Sequence, residues 1–427
     1  MLQRLLHLFN LPLLLVGCLI SPIIRILFPG VRYGHDVTVF AEWGTYANSI
    51  NELYNTECFC NYPILGLLSS TGLLKLFDFD IAQFMIALSV IDFLNVFLIF
   101  AILKTLDVKF AGVWSFVIAA IPSTWAGAAL WGQIDNIGQS ILLLLALVLA
   151  IFHNKEYFKN KFYLFVITMG LLLSMAILTK QLLLFSVFSF GIYILYIIYN
   201  FNEQKIANSS KHLILLILAI ITPILLFDAW LALPSTYSIS HLQRVLMTGS
   251  DHMNEIAGNG FNIWVLFYND MLSDASQPLF ALLSPKVIGI LIFIVALLFL
   301  SYTFIKKLNS QNENLINFFW FLALVNLSFN VFLTGTHDRY LYHFYPFLLI
   351  AIVSAESNIK KLINNQKLYI TILGACLYGA FILSILLMIQ PEYSNKILAI
   401  FHFLFFVYLI IHFSSAKTKH HEIYMQR

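Results

Sequence analysis

Long apolar runs separated by short polar breaks set the architecture before any single residue is considered. Twelve runs fall near 5–28, 81–103, 110–127, 138–152, 161–178, 181–199, 212–233, 285–305, 315–333, 341–355, 367–389 and 396–414. Runs of about 18–25 apolar residues match the roughly 30 Å hydrocarbon core of a bilayer, so these runs are predicted to be transmembrane helices. Segment 62–77 is apolar too, but it is short, opens on Tyr62-Pro63 and holds Ser69, Ser70, Thr71 and Gly72. That suits a helix lying at the membrane interface better than one crossing it. Between 37 and 53 a second interfacial helix is predicted, because Val37, Phe40, Ala41, Trp43, Gly44, Ala47 and Ile50 recur at roughly helical spacing. Trp43 and Tyr46 suit the headgroup zone.

Composition removes the main alternatives. With 60% hydrophobic residues, 11% charged residues and a mean hydropathy of +0.85, the chain carries more apolar surface than a soluble domain can hide. A transmembrane barrel would show alternating segments of about ten residues, and none is present. The expected fold class is therefore an all-α polytopic membrane protein of about twelve transmembrane helices, forming one integral membrane domain over 1–427. No basic or acidic tail and no Gly-rich phosphate loop is seen, so neither a nucleic-acid partner nor cytosolic ATP hydrolysis is expected. The first run lacks a small-residue cleavage site and is kept as a helix rather than a signal peptide. Cys58 and Cys60 form a lone C-x-C with no second pair, which is not a metal motif, and free thiols or a disulfide account for them.

Charge placement orients the chain. With a cytoplasmic N-terminus, 16 of the 24 Lys and Arg residues fall in inner segments and eight lie outside or near outer helix ends. If 62–77 crossed the bilayer, the basic stretches HNKEYFKNK and IKKLNSQNEN would face outward. The outer side then holds two large loops, 29–80 and 234–285, and the short turns LWGQIDNIG, LTKQ, GTHDRY and QPEYSN. The inner loops are brief and basic, so residues with chemical potential concentrate on one face.

Each outer candidate has a plain reading beside a functional one. Asp36 either caps the helix that follows it or acts as a general base at the membrane surface, with His35 and Glu42 as weaker neighbours. In WGQIDN, Trp131 can anchor at the interface and Asp135 or Asn136 can cap the next helix; neither explains Gln133 beside Asp135 in so short a turn. Buried charge at membrane depth costs about 2.5–3.5 kcal/mol, so such residues usually line a wet cavity, and amide and carboxylate groups bind sugar hydroxyls. Lys180 either snorkels to headgroups or holds a phosphate. His337, Asp338 and Arg339 form either a surface ion pair with anchoring aromatics or a second phosphate grip. Within 234–285, a short amphipathic helix is expected at 240–247. The Asp251, His252 and Glu255 cluster is too weak a signal for a metal site, and none is predicted.

Six motifs then fall into one order: D-x3-F-x2-W (Asp36, Phe40, Trp43), NYPILGLL (Tyr62, Pro63, Gly66), WGQIDN, TKQ, NGFNIW and THDRYLY. In this respect the chain resembles the GT-C superfamily of integral membrane glycosyltransferases, over roughly residues 5–355. It is most similar to the members that use polyprenyl-phosphate sugars. The resemblance departs at Asp338, where many relatives carry Glu, although a carboxylate is retained. It implies a GT-C-like fold, a polyprenyl-phosphate-sugar donor, a glycan or lipid acceptor, an inverting reaction and no cofactor or metal. It implies Asp36 as catalytic base, Lys180 and Arg339 with His337 as phosphate holders, and Gln133, Asp135 and Asn136 as donor-orienting residues. Tyr62, Trp131, Gln181 and Asp338 complete the expected substrate contacts. A bacterial plasma membrane is the expected location, with the endoplasmic reticulum as the alternative. The rival class is a transporter or flippase, set behind the enzyme because transporters show paired repeats and polar residues at mid-membrane.

Overall fold

The computed structural model describes residues 2–28, 35–45, 60–154, 161–201, 206–231, 254–279, 283–308, 314–356, 359–389 and 394–415. The chain is an all-α polytopic membrane protein. Among the described residues ten helices are long and apolar enough to cross a membrane. The chain divides into two compact units, 1–252 with 352–392 and 253–351 with 393–427. The helix expected at 240–247 and residues Tyr46, Ile50, Cys58, Asp251 and His252 lie outside the described residues.

The first unit opens with α1 (Leu2–Leu27), the short α2 (His35–Trp43) and α3 (Ile64–Leu76). The next helices are α4 (Ile81–Thr105), α5 (Ala111–Ala120), α6 (Pro122–Trp131), α7 (Asp135–Asn154) and α8 (Phe162–Thr179). Then α9 (Leu184–Phe201) and α10 (Ile206–Leu231) follow. Two of the twelve predicted spans differ from a single straight helix. The run at 110–127 is the pair α5 and α6, bent by 76°. Ile121 is extended and Pro122 opens α6, where its missing N–H costs nothing; the same ring would break a continuing helix. The run at 341–355 is a 3-10 turn (Asp338–His343) followed by α13 (Phe344–Ser354), whose 11 residues fall short of spanning length.

The second unit contains α11 (Pro285–Lys307), α12 (Asn314–Phe332), the first part of α13, and α16 (Ser394–Ser415). Helices α14 (Ile359–Ile363) and α15 (Gln366–Leu386) return to the first unit. A two-residue parallel pair, β1 (Ala257–Gly258) with β2 (Thr336–His337), joins two loops of the second unit.

Capping and close approach set the elements near the candidate residues. Asp80 starts α4 by accepting hydrogen bonds from the Ala82 and Gln83 backbone N–H groups. These bonds, that of Gln83 foremost, hold its carboxyl below the ordinary carboxylate range. The cap therefore contributes stability above the ordinary carboxylate pKa and loses it as pH falls through the lowered value. In α2, Val37, Phe40 and Trp43 are buried while His35 and Glu42 are exposed. Its apolar stripe packs on Tyr62, Leu67, Phe84, Met85 and Ile134 in one hydrophobic cluster, so this face is covered by protein. The Thr71 hydroxyl bonds the Phe40 carbonyl at 3.0 Å and ties α3 to α2.

Gly66 is where α3 meets the end of α8. A Cβ there would lie 2.2 Å from the Thr179 carbonyl oxygen, a backbone atom that cannot rotate away. Gly66→Ala is expected to destabilise the protein by about 1–3 kcal/mol, the usual cost of overpacking. Thermal unfolding in detergent measures this. An unchanged melting temperature would show that α3 and α8 do not pack this closely.

Candidate functional site

The WGQIDN turn is sunk into the first unit rather than exposed at a helix end. The Asn136 amide donates to the Leu88 carbonyl at 2.6 Å, a point about 10 Å along α4 from Ile81 at 1.5 Å per residue. Gln133, Asp135 and Asn136 are accordingly 1%, 3% and 1% exposed. The final turns of α6 (Ala126–Trp131) are π-helical, and the Gln133 N–H returns to the Gly127 carbonyl at 2.9 Å. Gly132 follows with φ +82°, in the left-handed region where a side chain is strained. A Cβ on it would also lie 2.3 Å from Val37 Cγ2. This glycine therefore lets α2 close onto the turn.

That closure brings Asp36 to Trp131, whose indole N–H donates to Asp36 Oδ2 at 3.2 Å. Trp131 is buried and bonded inward, so it is not the interfacial anchor of the simpler sequence reading. Asp135 opens α7, but its carboxylate serves Lys180. The Lys180 ammonium donates to Asp135 Oδ1 at 2.7 Å, and Lys180 is 4% exposed. Snorkelling to headgroups is thereby replaced by a buried ion pair. Lys180 can make this contact because its extended backbone ends α8 before the 3-10 turn Gln181–Leu183. The ammonium also lies 5.3 Å from the Tyr62 ring centroid, and Tyr62 packs on Phe40 and Trp43 of α2. The Gln181 side chain donates to the Asn61 carbonyl beside it. Asp36, Tyr62, Trp131, Gln133, Asp135, Asn136, Lys180 and Gln181 thus all belong to one unit, in which contacts link Asp36 to Trp131, Lys180 to Asp135 and Tyr62, and Gln181 to the segment just before Tyr62.

What remains unsatisfied is as informative as what is paired. Gln133 Nε2 and Oε1, Asp135 Oδ2 and Asn136 Oδ1 are buried and have no hydrogen-bond partner among the described residues. Buried polar groups are nearly always satisfied, so such a group on a folded protein marks a place for water or ligand. A carboxamide offers donors and an acceptor together, which matches a pair of sugar hydroxyls.

The remaining candidates lie in the second unit. Asp338 is buried, 1% exposed. His337 Nδ1 lies 3.5 Å from Arg339 Nη1, and the guanidinium lies 5.8 Å from the Tyr340 ring centroid. NGFNIW braces this turn: Asn262 donates to the Ile256 carbonyl and the Thr336 hydroxyl at 2.8 and 2.9 Å. Trp264 donates to the Phe332 carbonyl at 2.7 Å. Glu255 forms a backbone bridge with Asp274.

A second polar group was missed in the sequence. Asp92 lies midway along α4, 2% exposed, and accepts hydrogen bonds from the Ser21 hydroxyl at 2.6 Å and the Asn136 amide at 3.1 Å. Asn95 donates to the Asn136 carbonyl at 2.9 Å, and Ser140 donates to Asn95 Oδ1 at 2.7 Å. The signal was a lone carboxylate inside the apolar run at 81–103, followed three residues later by Asn. Cys60 is disulfide-bonded, while Cys18 and Cys376 are free. No protein-family model, curated protein or solved structure matches the chain.

Removing one member of a buried ion pair leaves the other charge uncompensated. Lys180→Met and Asp135→Asn are each expected to cost about 3–5 kcal/mol, and the double variant clearly less than their sum. A double-mutant cycle on thermal stability measures the coupling. Additive losses would mean that the two charges do not depend on each other.

Proposed function

We propose that the chain is a membrane glycosyltransferase that moves a hexose or pentose from a polyprenyl-phosphate-linked donor to a lipid-linked or cell-surface glycan. The observation that carries the reading is the WGQIDN turn, where the unpartnered, buried Gln133 amide lies two residues from the indole that holds Asp36. The motif resemblance supplies the reaction class, and residues of the first unit suffice for the chemistry. Asp36 takes the proton from the acceptor hydroxyl as that oxygen attacks the anomeric carbon. The sugar–phosphate bond breaks on the opposite face, which inverts the centre through an oxocarbenium-like state. Lys180 keeps donors beyond the one given to Asp135, and these meet the charge that grows on the leaving phosphate. Gln133 binds sugar hydroxyls. In this reading no metal is required.

The charge count across the loops supports placing this site on the outer side. A disulfide at Cys60, next to Asn61 and Tyr62, fits an oxidising compartment there. A bacterial plasma membrane fits best, and the endoplasmic reticulum is the alternative.

One observation favours the rival transporter reading: Asp92 and its polar partners lie near the middle of a membrane helix, where transporters bind their substrates. Proteoliposomes separate the two, because an enzyme forms a glycosidic product without a gradient and a transporter moves substrate without forming one.

The direct test gives purified protein a panel of radiolabelled polyprenyl-phosphate sugars with membrane acceptors, wild type beside Asp36→Asn. The wild type is expected to transfer label from one donor, and loss of the base to lower the rate by about 10²–10⁴-fold. Transfer unaffected by the substitution would move the base elsewhere. Failure of the wild type with every donor would remove the glycosyltransferase reading.

A further inference from the structure

We infer that Asp92 is a positioning residue: from the middle of α4 it fixes the start of α7, and with it Gln133 and Asp135, through a hydrogen bond to Asn136. The catalytic part of this inference rests on the function proposed above, whereas the structural part does not. Asp92 lies about 16 Å along α4 from Ile81, at 1.5 Å per residue. A carboxylate at that depth carries an insertion cost of about 2.5–3.5 kcal/mol, so its placement needs a compensating role.

The bonds around Asn136 show what that role is. Its side-chain nitrogen donates to Asp92 Oδ1 at 3.1 Å and to the Leu88 carbonyl at 2.6 Å. Its own carbonyl accepts from Asn95 Nδ2 at 2.9 Å and from the Ser140 hydroxyl at 3.0 Å. Leu88, Asp92 and Asn95 are spaced i, i+4 and i+7, so they form one stripe of α4 against the first turn of α7. Apolar helix faces in a bilayer have little directional preference and tolerate sliding, whereas a set of hydrogen bonds holds only one register. The residue held in this way directly follows Asp135, the partner of Lys180, and lies three positions after Gln133. Asn136 itself is thus mainly an anchor, with its amide nitrogen committed to α4. The Ser21 bond to Asp92 Oδ2 extends the clamp to α1.

The bonds to Asn136 and Ser21 need hydrogen-bonding groups at position 92 rather than a charge. Asp92→Asn keeps an oxygen for Asn136 and offers its amide nitrogen to the Ser21 hydroxyl, whereas Asp92→Leu offers neither. Full-length variants in nanodiscs are compared by donor kinetics and by hydrogen exchange over residues 131–140. Asp92→Leu is expected to raise exchange in that segment selectively. It is also expected to lower kcat/KM for the polyprenyl-phosphate sugar by about 10²-fold, the scale of a small misplacement of site groups. Asp92→Asn should match the wild type in both measurements. Asn95→Leu, which removes a separate bond to Asn136, should raise exchange in the same segment.

Loss of activity in Asp92→Asn equal to that in Asp92→Leu would overturn the inference, because a required charge points to proton or ion transfer. Unchanged exchange in Asp92→Leu would overturn it as well. If the wild type transfers no sugar while the exchange pattern follows expectation, the positioning role stands and the proposed reaction fails.

Discussion

A buried charge needs compensation, and in the first unit Lys180 and Asp135 compensate each other at 2.7 Å. Much of the local structure follows from the contact. It requires α8 to end and α7 to begin at the same place. Gly66 lets α3 approach the carbonyl just before Lys180, and Tyr62 places its ring beside the ammonium. Gly132 lets α2 close over the turn and brings Asp36 to Trp131. Desolvating two charges has a cost that the pair alone repays only with good geometry, so the surrounding packing is part of the interaction.

Polar groups in this region divide into two sets with different meanings. Ser21, Asp92, Asn95 and Ser140 bond to one another or to Asn136, well down the length of α4, and read as a scaffold. The Gln133 amide and the second oxygen of Asp135 are equally buried, yet no described residue bonds them. A folded protein keeps such groups dry and unbonded only at a penalty. A ligand rich in hydroxyls next to a phosphate would satisfy both, which links this turn to the proposed donor.

The helices were legible because apolar runs of spanning length leave few other options. The bend at Pro122 was not, since hydropathy is the same on either side of a break. The shortness of α13 escaped for a different reason: the predicted span began at Leu341, inside the 3-10 turn Asp338–His343, and Leu341 and Tyr342 lead into the apolar run without marking where the α-helix starts. For the site, residue types were readable and partners were not. Lys180 and Asp135 are 45 positions apart, and nothing in either short motif names the other. Asp92 was overlooked because one carboxylate barely lowers the mean hydropathy of a 25-residue helix. Of the apolar stripe expected over 37–53, Val37, Phe40, Trp43 and Gly44 are buried, but α2 ends at Trp43, ten residues short of the expected helix end. Its stripe faces Tyr62, Phe84 and Met85, and contact with other protein segments cannot be told from contact with lipid by periodicity alone.

The proposed donor, a polyprenyl-phosphate sugar, is assigned to the WGQIDN turn of the first unit. That assignment is tested most directly by titrating a short-chain polyprenyl-phosphate sugar into the purified chain in nanodiscs while following hydrogen exchange. Saturable binding with protection concentrated at residues 131–136 and around Lys180 is the result the account predicts. Binding that does not saturate, or protection confined to other parts of the chain, would contradict it.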